Sequence, residues 1–222
     1  MIALDHVTFG YPGQSSPILN DVTARFSTKD RVGILAASGS GKSTVARLLS
    51  GVEQPQRGAI SRRGRVSWPV GFAGFFHPEL TAAENIAHVA GLSGAEPPDV
   101  VAFCMHFCDF PGGLSRRMLD LSPTERAVLG YSCSLAIGFD QLIVDETVTV
   151  GTPVQRMKCE ALLNQHLETG GLIVIARTGR QMKQFCNKFM VLTNGQFVAC
   201  KTPEEAEALL RFSTTEAEPI HV

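Results

Sequence analysis

Gly39-Ser40-Gly41-Lys42-Ser43-Thr44 is the stretch whose residue types and spacing carry the most chemistry. Glycines leave backbone N–H groups free to curl round oxygens, and Ser38 just before them is small enough to join the curl. An ammonium such as Lys42 can reach the β- and γ-phosphates of a nucleotide, and the hydroxyl of Ser43 can ligate Mg²⁺. The run follows a short apolar stretch, Arg31 to Ala36, and opens a segment with Val45, Leu48 and Leu49 on an apolar face. Strand, loop and helix are therefore expected in that order, with the helix N-terminus adding a dipole that favours anions. The usual pattern places glycine six residues before the lysine. Here that residue is Ala36, a departure of one methyl group. The bland alternative is a Gly/Ser turn that carries Lys-Ser-Thr by chance.

A second acidic motif complements the first. Leu142-Ile143-Val144-Asp145-Glu146 reads as a buried strand ending in two carboxylates. The Asp145 carboxylate can hold Mg²⁺ through water, and that of Glu146 can polarise an attacking water. Alone, an apolar strand ending in Asp-Glu is usually structural; beside a phosphate loop it reads as catalytic. A guanine reader is disfavoured, because Asn187-Lys188 is followed by Phe189-Met190 rather than by an Asp two places after the Lys.

The elements that must position these groups follow from patterning. Ile2, Leu4, Val7 and Phe9 alternate as a strand, and Val22, Ala24 and Phe26 as another. The middle is helical: Thr81 caps a segment through Ala90, Pro97 starts one running to Phe107, and Ser122 caps one from Pro123 to about Ile137. Strand and helix then alternate: a helix over about 153–168, a strand at Leu172 to Ile175, and a helix over about 179–187. Phe189 to Ala199 reads as a hairpin turning at Asn194-Gly195, and Pro203 to Arg211 as a closing helix. The pattern predicts a parallel α/β sheet, with an antiparallel sheet at the front and a helical lobe inserted between the halves.

Composition excludes other classes. The 222 residues are 44% hydrophobic and 18% charged, which suits a globular core rather than a disordered or fibrous chain. Lys+Arg 20 against Asp+Glu 21 leaves a net charge of −1, so no basic field argues for nucleic acid. The densest positive run, Arg62-Arg63-Gly64-Arg65, reads as a solvated hairpin or loop. No apolar stretch reaches the ~18 residues of a membrane span, and the start lacks a secretory pattern, so a cytoplasmic protein is expected. The six cysteines lack paired spacing and read as free thiols in a reducing compartment. Cys104, His106 and Cys108 come nearest to a metal cluster, but on a helix His106 points away from the other two.

The two phosphate motifs, Tyr11 upstream and the helices between them resemble the nucleotide-binding subunit of an ABC transporter. Further matches narrow this to the ATPases of capsular-polysaccharide and related glycan exporters. They are Leu48 to Glu53, Gly64 to Phe72, Leu80-Thr81, Glu84-Asn85, Phe139-Asp140, Val150-Gly151, and Lys183 with Cys186. The resemblance runs from residue 1 to about 200 and includes no carbohydrate-binding extension, as in the short capsule-type members. It implies an α/β P-loop NTPase core of the ABC ATPase type. The core has a mostly parallel sheet, an N-terminal antiparallel β subdomain and an inserted helical lobe at about 78–137. It forms one domain over 1–212, with a tail at 213–222. It also implies ATP and Mg²⁺ as ligands, with Tyr11 stacking on adenine; the alternative for Tyr11 is a turn tyrosine. The implied partners are a second ATPase subunit, identical or different, and a membrane-spanning permease. The chain would then sit peripherally on the inner face of the cytoplasmic membrane.

Four positions depart from that family's pattern. The γ-phosphate-sensing Gln aligns with His77, which either accepts a bond from metal-bound water or is a polar loop residue. The signature aligns with Leu121-Ser122-Pro123-Thr124-Glu125, where Pro123 has no N–H and Ser122 to Glu125 make a capping box. The Asp of the loop after the acidic strand is replaced by Thr152. The switch histidine aligns with Arg177, which holds phosphate as a fixed cation, pairs with Glu146 and removes the base, or is an exposed arginine with neither role. A weakly hydrolysing ATP-binding module therefore stands beside the active ATPase as the second expectation.

Overall fold

The computed structural model describes residues 1–14 and 16–215, and these fall into two compact units. The first comprises Met1–Pro69, Asp140–Val148 and the chain from Thr169 onward; the second comprises Val70–Phe139 and Thr149–Glu168.

The first unit carries both sheets. Strands β1 (Ile2–Phe9), β2 (Leu19–Phe26) and β4 (Arg57–Arg62) form an antiparallel sheet in the order β2-β1-β4. Alternation in β1 buries Ile2, Leu4, Val7 and Phe9, as the sequence predicts. The larger sheet runs β5-β6-β7-β3-β8-β9, from β3 (Arg31–Ala36), β5 (Val66–Pro69), β6 (Gln141–Asp145), β7 (Gly171–Ala176), β8 (Lys188–Thr193) and β9 (Gln196–Cys200). Every neighbouring pair is parallel except β8 with β9, which turn antiparallel at Asn194 and Gly195, both at positive φ. β3 sits between β7 and β8, and its apolar run Val32 to Ala36 is buried throughout. Helix α1 (Lys42–Ser50) starts one loop beyond β3 and buries Val45, Leu48 and Leu49 in the core cluster that holds Ile34, Ile143 and Ile173.

In the charged run at 62–65, Arg63, Gly64 and Arg65 are exposed, as expected, and only Arg62 departs. Arg62 does not lie in solvent: its guanidinium is half-buried and donates to the Leu49 carbonyl at 2.8 Å and to that of Leu48. It thereby gives the Leu49 carbonyl at the end of α1 a donor and adds a second to the Leu48 carbonyl, which also accepts the Gly51 N–H at 3.3 Å. β4 and β5 were also absent from the sequence reading.

The second unit is helical: α2 (Ala82–Leu92), α3 (Pro97–Cys108), α4 (Pro123–Ala136) and α5 (Pro153–His166). It is larger than the 78–137 expected, since α5 joins it. Three of these helices start on capping boxes, Thr81 with Glu84, Ser122 with Glu125, and Thr152 with Gln155. Cys104 and Cys108 are buried along α3 while His106 is exposed, so the three do not converge. Elsewhere α6 is only Arg180–Lys183, shorter than the predicted 179–187, because the chain must enter β8: the Asn187 N–H already bonds the Arg31 carbonyl at 2.9 Å. The closing helix α7 (Pro203–Thr215) runs past Arg211, and residues 216–222 of the expected tail lie outside the described residues. No helix among the described residues is long and apolar enough to cross a membrane.

Candidate functional site

Between β3 and α1 the chain folds as the phosphate-loop reading requires. Gly39 and Gly41 stand at φ +77° and +91°, conformations that other residues rarely adopt. Ala36, where the usual pattern has glycine, is a buried strand residue with no such need. The missing glycine therefore does not alter the backbone path. Ser40 closes the curl by bonding the Ala37 carbonyl through its Oγ at 2.7 Å. Ser38 and Gly39 are exposed, as is Ser43 in the first turn of α1, whereas Thr44 is buried. An open cavity of about 620 Å³ flanks the loop, lined among others by Ile18, Ala37, Gly39, Ser40 and Asn194. No charged side chain is among its described lining residues.

Lys42 is 8% exposed, and its Nζ donates to the Ala37 carbonyl at 2.8 Å. Glu146 Oε1 lies 3.4 Å from the same Nζ, and Glu146 Oε2 lies 3.2 Å from Arg177 Nε. The sequence's Lys42, Glu146 and Arg177 are thus brought together, and of the three alternatives for Arg177 the structure contains the ion pair with Glu146. Glu146 is held at φ +61°, with its N–H on the Ile175 carbonyl and its own carbonyl accepting from Gln181 Nε2 at 2.9 Å. Gln181 was missed by sequence reasoning, since nothing local marks it. One place earlier, the buried Oδ1 of Asp145 has no hydrogen-bond partner among the described residues. A carboxylate oxygen left so is costly unless a cation or water meets it, and a hard divalent ion suits an oxygen donor set of this kind. Asp145 with Ser43 thus fits Mg²⁺.

Tyr11 is tethered rather than loose. Its OH lies 3.2 Å from Thr44 Oγ1 and accepts from Arg47 Nη2 at 3.0 Å, and its ring meets Phe9 edge-on with centroids 5.3 Å apart. The ring remains 38% exposed, which leaves it surface on which a planar base can stack.

The other expected residues belong to the second unit. The exposed His77 is fixed through its backbone by the buried Asn85, which accepts from the His77 N–H at 2.7 Å and donates to its carbonyl at 3.0 Å. His77 Nδ1 accepts the Glu79 N–H at 3.2 Å. Ser122 and Glu125 close on each other: Glu125 Oε2 accepts the Ser122 N–H at 2.7 Å, and Ser122 Oγ accepts the Glu125 N–H at 3.2 Å. Pro123 at the first helical position offers no N–H, so Thr124 alone keeps an amide outside this box. Arg116, another residue the sequence did not single out, donates to Glu125 Oε1 at 2.6 Å. The Ser122 N–H, with Arg116 after it, holds the Glu125 carboxyl below the usual carboxylate range. The negative charge of Glu125 is therefore largely answered within the loop. Thr152, in place of the family's Asp, caps α5.

A family model described as "ABC transporter" matches residues 19–149, more than half of the chain. The chain belongs to the ABC transporter family. It is 31% identical over 208 residues to the capsule polysaccharide export ATP-binding protein CtrD of Neisseria meningitidis, covering 93% of this chain and 96% of the relative. It is 31% identical over 197 residues to the ATP-binding protein BexA of Haemophilus influenzae, covering 88% and 91%. The polysialic acid transport ATP-binding protein KpsT of Escherichia coli is 28% identical over 202 residues, at 89% and 90% coverage. Among solved structures, a dimeric ATP-binding cassette in a post-hydrolysis state with ADP and Pi superposes with TM-score 0.75 at 19% identity, over 90% of this chain and 98% of that one. The fold is that of an ABC ATPase cassette.

Proposed function

We propose that this chain is the ATP-binding and ATP-hydrolysing subunit of an ABC transporter that exports capsular or another polysaccharide across the cytoplasmic membrane. The observation that carries the reading is the buried Lys42 ammonium at the mouth of a glycine-turned loop, 3.4 Å from the Glu146 carboxylate that ends β6. Near full-length similarity to capsule and polysialic acid export proteins supports the substrate class. ATP binds with its phosphates on the backbone of Ser38 to Thr44 and on Lys42, and its base on Tyr11. Ser43 and Asp145 hold Mg²⁺, which when bound neutralises phosphate charge. Glu146 orients and deprotonates the attacking water. The partners are a second ATPase subunit, identical or different, and a membrane-spanning permease, which together place the chain on the inner face of the membrane.

A second reading, a module that binds ATP with little turnover, is favoured by one specific observation: Arg177 holds the base. An organised general base contributes about 10²- to 10⁴-fold in rate, so a base kept in an ion pair turns over slowly. Phosphate release from ATP·Mg²⁺, measured with and without the permease, decides between them. The ATPase reading expects release by the wild type that Glu146→Gln abolishes. Equal release by both proteins contradicts it and leaves the binding module.

A further inference from the structure

Among the described residues the Lys42 ammonium has two partners, the Ala37 carbonyl at 2.8 Å and Glu146 Oε1 at 3.4 Å. The other oxygen of the same carboxylate lies 3.2 Å from Arg177 Nε. Glu146 is thus shared between two cations of unlike setting, since Lys42 is 8% exposed and Arg177 59%. Its backbone cannot drift, being pinned by Ile175 on one side and Gln181 on the other at φ +61°. A carboxylate oxygen offers an ammonium the same charge-assisted bond that a phosphate oxygen does. We infer that Glu146 competes with the nucleotide's phosphates for Lys42, and that Arg177 is the positioning residue that draws the carboxylate aside. The pair then sets nucleotide affinity before any chemistry occurs. This rests on the phosphate-loop reading above and deepens it.

ADP is the discriminating probe, because it brings phosphates to Lys42 but no γ-phosphate to be cleaved. The experiment is a calorimetric titration of the full chain with ADP and Mg²⁺, using wild type, Glu146→Gln, Arg177→Met and the double variant. Circular dichroism checks that each is folded. Glu146→Gln removes the competing charge and tightens ADP about tenfold. Arg177→Met leaves the carboxylate wholly on Lys42 and weakens ADP about three- to fivefold, the modest size expected of a pair with one exposed member. In the Glu146→Gln background the same Arg177→Met change has little effect, and this non-additivity is the signature of a residue acting through Glu146. Arg177→Lys restores wild-type affinity. An equal loss in both backgrounds means that Arg177 acts on the nucleotide directly and overturns the inference. Unchanged ADP affinity in Glu146→Gln overturns it too. A wild type that binds no ADP defeats the phosphate-loop reading itself, a different and distinguishable failure.

Discussion

At Gly41 a side chain is excluded on two counts. The backbone stands at φ +91°, and a Cβ built there would come within 2.5 Å of Ile18, itself buried at the head of β2. Gly41→Ala is therefore expected to cost at least about 2 kcal/mol, from the left-handed backbone and overpacking together. A lowered urea midpoint with unchanged slope checks this. Residues of this kind are legible in a sequence because the reason for them is local: the loop must turn within a few residues and present its amides. Arg177 is different. Its type alone leaves a phosphate contact and an ion pair equally open, and only the return of β7 beside β6 brings its guanidinium to Glu146. Arg116 and Gln181 carry no local mark: Arg116 meets Glu125 across the turn that leads into α4, and Gln181 reaches Glu146 through packing between elements distant along the chain.

Helix ends decide what several of the departing motif positions do. Ser122, Pro123 and Glu125 begin α4, and Thr152 begins α5, so residues that depart from the family's pattern have ordinary structural work as caps. Such boxes are readable because they span four residues. The far end of α1 is capped locally by Gly51 at φ +89°, whose N–H meets the Arg47 and Leu48 carbonyls, but a further donor is not readable because it comes from another strand: Arg62 of β4 donates to Leu48 and Leu49. Arg62→Ala is expected to lower stability by about 1–2 kcal/mol, through an orphaned Leu49 carbonyl and a lost cation at the helix C-terminus. Chemical denaturation measures it, while Arg63→Ala, from the same basic run, serves as the comparison. β4 escaped the sequence reading for a related reason. Arg57-Gly58-Ala59-Ile60-Ser61-Arg62 has little alternation and becomes a strand only through its antiparallel pairing with β1.

Across the whole molecule, the order of apolar strands and intervening helices was enough to give the α/β class, since buried parallel strands read as short apolar runs wherever they fall. The division into two units was less legible, because α5 joins the helical unit by packing rather than by sequence position. The buried thiols give the folded state a pH limit. Burial pushes the Cys108 and Cys186 thiols from 9.0 up to about 12. In the unfolded chain they lose their protons near pH 9 while the folded chain keeps them, so each contributes stability present below pH 9 and lost between 9 and about 12. Stability is expected to fall over that window by about 1.4 kcal/mol per pH unit for each such thiol, and Cys186→Ser to flatten the slope. Denaturation midpoints at a series of alkaline pH values check the sign. The account as a whole depends on one cation meeting a nucleotide's phosphates. Calorimetric titration of ATP·Mg²⁺ into wild type and Lys42→Ala tests that most directly. The account expects saturable binding by the wild type and none by Lys42→Ala; equal affinity in the two proteins would contradict it.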